Sequence, residues 1–309
     1  MTEVAERLYR TMAAIREFEL SSERLLKRGE LTGNVHLSIG QEAVAAGVCD
    51  VLRREDHITT THRGHGHCIA KGGDPERMYA ELLGRSTGYC GGKAGSMHIA
   101  DPATGNLGAT AIVGGGIAIA AGAALSAQVR GTDAVAVAFF GEGAVAQGAF
   151  HETLNLAAVW SLPLVLVCEN NGYAELTPVD VHLRAPVHRL AEPHGVPGVA
   201  VDGNDAPAVR AAADEAVSRA RAGGGPTLLE CTTYRWSGHY VGDPERYRSR
   251  EEVAAWRERD PLARLARVVG ADRAAAIDAQ VREELDAAAE RALAQPAVGP
   301  DALLEHVWS

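Results

Sequence analysis

Between Ala134 and Tyr173 the chain reads AVAVAFF, then GEGAVAQGAFHETLNLAAVW, then, past Ser161, LPLVLVCENNGY. Ala134 to Phe140 is a short apolar run between Asp133 and Gly141, suited to a strand buried on both faces. Ala144 to Trp160 keeps Phe150, Leu154, Ala157 and Ala158 at helical spacing. Pro163 stops the helix, and Leu164 to Cys168 supplies a second apolar strand. Strands joined through a helix pair in parallel by a right-handed crossover, so Glu142 and the Glu169-Asn170-Asn171 group leave the sheet at the same carboxyl-end edge. This stretch commits the chain to an α/β fold: a doubly wound, mostly parallel sheet with helices on both faces.

A carboxylate from one loop and an amide oxygen from the next can share one hard cation. Mg²⁺ takes oxygen ligands at about 2.1 Å and completes its shell with substrate phosphates and water. Gly141 and Gly143 allow the backbone to approach a diphosphate, and a helix opening near Ala144 aims amide donors at it. The same letters satisfy the looser dinucleotide fingerprint GxGxxA at Gly141, Gly143 and Ala146, with Glu169 as a ribose-binding acid. An acidic side chain between the glycines repels a bare pyrophosphate but suits a metal-bridged one. A third reading is a glycine turn that only packs helix on strand.

The net charge of −10 argues against nucleic acid as a partner. Cys49, Cys68, Cys90, Cys168 and Cys231 form no CxxC pair and read as free thiols in a reducing cytoplasm. The N-terminal MTEVAERLYRTMAAIREFE carries charges throughout, without an apolar signal core. Pro102 to Val129 has no charged residue and is long enough to span a bilayer, but its Gly, Ala, Thr and Ser content gives little transfer energy. Gly116, Ala120, Ala123 and Ala124 suit close helix–helix approach, so a buried helix at a subunit interface is expected, with no membrane.

The expected organisation is an N-terminal helical arm over 1–30, an α/β domain over 31–250 and a C-terminal helical appendage over 251–309, broken by Pro261 and Gly270. His62, His65, His67 and Cys68 invite a zinc reading, but the spacing is not that of a closed site and no second ligand pair follows. Arg63, between glycine-flanked segments, suits an oxyanion such as phosphate; the competing account is a surface salt bridge. Gly84 to Gly95 reads as a flexible tether or a substrate-facing surface.

GEG, a gap of 26 residues and then NN resembles the thiamine diphosphate-binding motif, usually written GDG with a similar gap before NN. THRGHGHCIAKGGD, TGYCGGKAGSMHIAD, IVGGGIAIAAGAAL, NGYA and TYRWSGH are similar to the alpha subunit of the decarboxylating component of 2-oxo acid dehydrogenase complexes, nearest to the acetoin and pyruvate types. The similarity runs from about Tyr9 to about Arg259. It implies a thiamine diphosphate-binding fold in which Glu142, the Asn171 side chain and the Tyr173 carbonyl hold Mg²⁺. Gly143, Ala144, Arg63 and His62 would place the cofactor, and backbone near Val113 would touch its aminopyrimidine end. His239 matches the family's loop histidine, so His239 and His62 become the candidate catalytic histidines.

The resemblance further implies oxidative decarboxylation of a 2-oxo acid, or cleavage of acetoin, with acyl transfer to a lipoyl group on a separate acyltransferase. The carboxylate that meets the aminopyrimidine belongs to a beta subunit in this family, which implies an alpha2beta2 heterotetramer. Departures from the pattern are Glu142 for Asp, His62 for the Tyr of pyruvate-type relatives, Ala146 for Asn, and Ala94 and Ala111 for glycines. A positive φ at either of those last two positions would cost about 1 kcal/mol. Two other functions stand beside the enzyme: a cofactor-poor scaffolding or regulatory subunit, and an NAD-binding Rossmann-type oxidoreductase.

Overall fold

The computed structural model describes residues 2–31 and 33–305; Thr32 and the outermost ends of the expected arm and appendage, Met1 and 306–309, lie outside the described residues. The strands are β1 (His57–Thr61), β2 (Asn106–Thr110), β3 (Ala136–Gly141), β4 (Leu164–Asn170), β5 (Tyr173–Ala174), β6 (Thr177–Pro178), β7 (Gly198–Asp202) and β8 (Thr227–Thr232). Six of them make one all-parallel sheet in the order β2-β1-β3-β4-β8-β7, and β5 with β6 form a small antiparallel hairpin. The helices are α1 (Thr2–Lys27), α2 (Glu42–Cys49), α3 (His65–Ala70), α4 (Pro75–Leu82), α5 (Gly115–Arg130), α6 (Gly148–Val159), α7 (Val179–His182), α8 (Ala206–Arg221), α9 (Arg250–Arg257), α10 (Pro261–Val269) and α11 (Ala271–Leu293).

The two central strands are apolar from Ala136 to Phe140 and from Leu164 to Cys168 because both faces are covered, and side chains alternate between two cores. Ala136, Ala138 and Phe140 of β3, with Leu164, Leu166 and Cys168 of β4, pack under α5 and α6. The intervening Val137, Phe139, Val165 and Val167 pack on the other face against α2 and α8. A third cluster joins Leu8, Met12, Phe18 and Leu25 of α1 to Ile277, Val281 and Leu285 of α11. Asp74, Asp205, Ser249 and Asp260 cap α4, α8, α9 and α10 through their side chains, and a proline enters the first turn of three of these helices.

Two expectations change. The helix after β3 does not open near Ala144: a 3₁₀ turn over Glu142–Ala146 comes first and α6 begins at Gly148. Gly116 of α5 lies against the sheet, while α5 also packs beside α6. A Cβ on Gly116 would stand 3.2 Å from the Thr59 hydroxyl, which donates to the Gly116 carbonyl at 2.8 Å. Gly116 thus serves close helix–strand approach. After Tyr173 come the β5–β6 hairpin, α7 and a 3₁₀ run over Val187–His194, each too short to leave a period in the sequence. No helix among the described residues is long and apolar enough to cross a membrane.

β2 lies on one side of β1 and β3 on the other, so the chain reverses direction across the sheet between β1 and β3. In open α/β sheets the ligand crevice forms outside the carboxyl ends of the strands at such a point.

Candidate active site

A cavity of about 440 Å³ opens there, reached by the residues that follow β1, β2, β3, β4 and β8. His62, Arg63, Val113, Glu142, Gly143, Ala144, Asn171, Tyr173 and His239 all line it. The structure therefore brings together the nine residues that the family resemblance assigns to the site.

One side of the cavity is acidic. Glu142 is 1% exposed; one carboxylate oxygen accepts the Asn171 N–H at 3.1 Å, while the other, Oε1, has no partner among the described residues. Burial raises the Glu142 pKa above its ordinary value of 4.5, because the charged form loses its hydration. An unsatisfied buried carboxylate oxygen costs at least about 1–3 kcal/mol, and a bound cation would relieve it. Beside it, the Asn171 side chain donates to the Gln41 side-chain oxygen at 3.1 Å and accepts from the Tyr173 N–H at 3.3 Å. The Tyr173 carbonyl has only a long contact, 3.4 Å, from Arg235. A carboxylate, an amide oxygen and a carbonyl form a hard-oxygen set that fits Mg²⁺. The first Asn of the pair does something else: Asn170 donates to Glu230 at 2.7 Å and its oxygen receives the Gly172 N–H at 3.2 Å. Gly143 is required by packing, since a Cβ there would lie 2.8 Å from that of Ala174.

The opposite side is basic. Arg63 is 5% exposed and donates to the Leu37 carbonyl at 2.9 Å, the His239 carbonyl at 2.7 Å and the His239 Nδ1 at 3.1 Å. It is no surface salt bridge: no carboxylate pairs with it, and burial together with the neighbouring Arg235 lowers its pKa to about 9. His62, His36 and His239 cluster beside it, with ring centroids 4.8–5.4 Å apart. Burial, and then Arg63, lowers their pKa values to about 2, 3 and 4 respectively, so all three are neutral at pH 7. Because His239 Nδ1 accepts from Arg63, its proton sits on Nε2. His62 Nε2 and His36 Nδ1 are buried without partners.

Sequence reasoning missed Arg235, His36 and Gln41. Arg235 is 1% exposed, lines the cavity and donates to the Tyr247 hydroxyl at 3.0 Å and to the Glu175 carbonyl. Its one signal was a place in the aromatic-rich TYRWSGH run. Nothing local marks His36 or Gln41.

The zinc reading does not hold together. His65 bonds Glu19 and Ser96, and His67 bonds Thr60 and lies 3.2 Å from Glu169, so His62 alone of that set reaches the cavity. The loop after α4 is tied rather than loose: the buried Glu81 carboxylate accepts the N–H groups of Cys90, Gly92, Ala94 and Gly95 at 2.7–3.0 Å. Ala94 and Ala111 both have negative φ, so neither carries the strain that replacing a glycine could bring.

The description "Dehydrogenase E1 component" matches residues 10–301. The chain is 53% identical over 257 residues to the alpha subunit of acetoin:2,6-dichlorophenolindophenol oxidoreductase of Bacillus subtilis, covering 82% of this chain and 77% of that one. It is 46% identical over 310 residues to the subunit of the same name in Cupriavidus necator, covering 97% and 93%. Pyruvate dehydrogenase E1 component subunit alpha-3, chloroplastic, of Arabidopsis thaliana is 40% identical over 318 residues, covering 98% and 74%. With a match this long and a fold and cavity of this form, the chain belongs to the dehydrogenase E1 component family.

Proposed function

We propose that the chain is the alpha subunit of a thiamine diphosphate- and Mg²⁺-dependent enzyme that cleaves acetoin or oxidatively decarboxylates a 2-oxo acid, passing the acyl group to the lipoyl group of a separate acyltransferase. The observation that carries this is Glu142 Oε1, a buried and unpartnered carboxylate oxygen in the same cavity as the buried Arg63. A cation on one side and an anion against the other would satisfy both. The higher identity to the two acetoin-named subunits supports putting acetoin first among the proposed substrates.

Thiamine diphosphate, when bound, would supply a carbon nucleophile and an electron sink. Glu142, Asn171 and the Tyr173 carbonyl would hold Mg²⁺, and Gly143 and Ala144 keep the backbone close to the phosphates. Arg63 holds a positive charge for the diphosphate, while His62 Nε2, without a partner among the described residues, and the Nε2 proton of His239 would face it from the same cavity. Val113, 55% exposed on the rim, would meet the aminopyrimidine end.

Residues 31–250 would form the cofactor-binding part, with 1–30 and 251–309 as packing extensions, in a cytoplasmic alpha2beta2 assembly. Ile119 and Val129 on α5, and Val159 and Trp160 at the end of α6, leave apolar surface exposed on neighbouring helices, which suits burial by a partner chain. The test is dichlorophenolindophenol reduction by the chain with and without its beta partner. We expect turnover of acetoin that needs both chains, thiamine diphosphate and Mg²⁺; turnover by the lone chain, or turnover indifferent to Mg²⁺, would refute the proposal.

A further inference from the structure

A side-chain amide presents either its oxygen or its NH₂ to a given neighbour, and a wrongly turned amide cannot ligate a cation. Asn171 makes two side-chain bonds, and together they fix which end faces where. Its Oδ1 receives the Tyr173 N–H at 3.3 Å and its Nδ2 donates to Gln41 Oε1 at 3.1 Å. Turning Asn171 alone would set two donors against each other at Tyr173 and two acceptors at Gln41. Turning both amides repairs the second contact but leaves the first, so the Tyr173 N–H sets the sense and Gln41 holds it. Gln41 is 2% exposed, immediately precedes α2 and has its own N–H bound to the Ser38 carbonyl at 3.0 Å. It is absent from the cavity wall, so it acts only through Asn171.

We propose that Gln41 is the positioning residue of the cation site: it keeps the Asn171 oxygen, rather than the NH₂, available beside the unpartnered Glu142 oxygen. This rests on the ligand set proposed above. Outer partners of metal ligands are typically worth 10–100-fold in metal affinity.

The test is Mn²⁺ binding, followed by electron paramagnetic resonance on the chain co-purified with its beta partner, with thiamine diphosphate present. Gln41→Met removes the acceptor at similar volume, and Gln41→Glu keeps it. We expect Gln41→Met to weaken Mn²⁺ binding about 10–100-fold and Gln41→Glu to restore it to within about threefold of wild type, while both keep the wild-type far-ultraviolet circular dichroism. Wild-type affinity in Gln41→Met would overturn this inference alone, as would a Gln41→Glu protein as weak as Gln41→Met. A wild-type complex that binds no Mn²⁺ would overturn the ligand set and this inference with it. Should Gln41→Met fail to fold, Gln41→Glu decides the matter: affinity near wild type supports the role, and a tenfold or greater loss refutes it.

Discussion

The two sides of the cavity are built by different means. The acidic side comes from neighbouring strands whose register sets Gly141 beside Glu169, so that Glu142 and Asn171 leave the sheet next to each other. The basic side joins Arg63 to His239, 176 positions away in the chain, through loops pinned by carbonyl contacts. One side is a buried carboxylate; the other is a buried guanidinium beside three neutral imidazoles. Each pays for its burial with an unsatisfied group, and the two deficits have opposite sign. A metal-bridged diphosphate answers both at once, which neither a bare anion nor a lone cation does.

The largest expected effect breaks the acidic side. Glu142→Gln keeps the shape and removes the charge, so Mn²⁺ affinity in the presence of the cofactor should fall by more than about a hundredfold. The cofactor-free protein should be no less stable near pH 8, since a costly buried charge has gone. Chemical denaturation and Mn²⁺ titration of the same sample check both halves. A marked loss of stability with cation binding intact would mean that Glu142 is a packing residue.

Next comes the basic side. Arg63→Lys retains a charge but loses the planar fork, so thiamine diphosphate affinity should drop about 10–100-fold, or about 1.4–2.7 kcal/mol. Calorimetry on the assembled complex measures it, and fluorescence-monitored binding of Mn²⁺ without cofactor should barely change. A comparable loss of both ligands would show that the two sides cannot be separated as drawn here.

Within the acidic side, the adjacent asparagines sharpen the contrast further. Asn170→Ala leaves Glu230 short of a partner and should lower stability by about 1–3 kcal/mol, with cation affinity within about threefold of wild type. Asn171→Ala should lower cation affinity by more than about tenfold, with a stability loss of about 1–3 kcal/mol because Gln41 and the Tyr173 N–H lose their partner. Both variants can be followed by thermal denaturation and Mn²⁺ titration, and an exchange of the two phenotypes would reassign the ligand.

These differences also explain what could be read in the letters. The β3-to-β4 unit was legible because parallel pairing converts a short stretch of sequence into a defined edge, and Glu142 and Asn171 bracket that stretch. The helix start was misplaced because GEGAVA carries no capping side chain, and a 3₁₀ turn and an α-helical turn have nearly the same apolar spacing over five residues. Arg63 was legible as an oxyanion candidate from its glycine-flanked setting, whereas His239 was legible only through family resemblance, as no local period ties it to the rest. Arg235 and His36 stayed hidden because their role depends on loop packing across distant segments. Gln41 stayed hidden because it works one contact behind the wall. The glycine loop after α4 looked loose for a similar reason: its organiser, Glu81, lies inside the preceding helix, where a glutamate is unremarkable.

The smallest effects concern pH, and they test the opposite signs directly. His36, His62 and His239 have native pKa values near 3, 2 and 4, below the ordinary 6.5. Between those values the unfolded chain binds more protons than the native one, so their contribution to stability is whole above pH 6.5 and is lost as the pH falls. Glu142 runs the other way: its native pKa is raised above 4.5, so the native state holds the extra proton and stability declines as pH rises through that window. In Glu142→Gln the second slope disappears and the histidine slope stands alone, steeper on acidification below pH 6.5 than in wild type. Adding His62→Tyr to that background removes one of three imidazoles and should make the acid slope shallower by about a third, while cofactor affinity changes by less than about tenfold. Urea denaturation at half-unit steps from pH 4.5 to 8 resolves the slopes. An unchanged acid slope in the double variant would mean that His62 gains a proton as readily in the native chain as in the unfolded one, and the basic side would then hold a charge that a bound diphosphate does not need to supply.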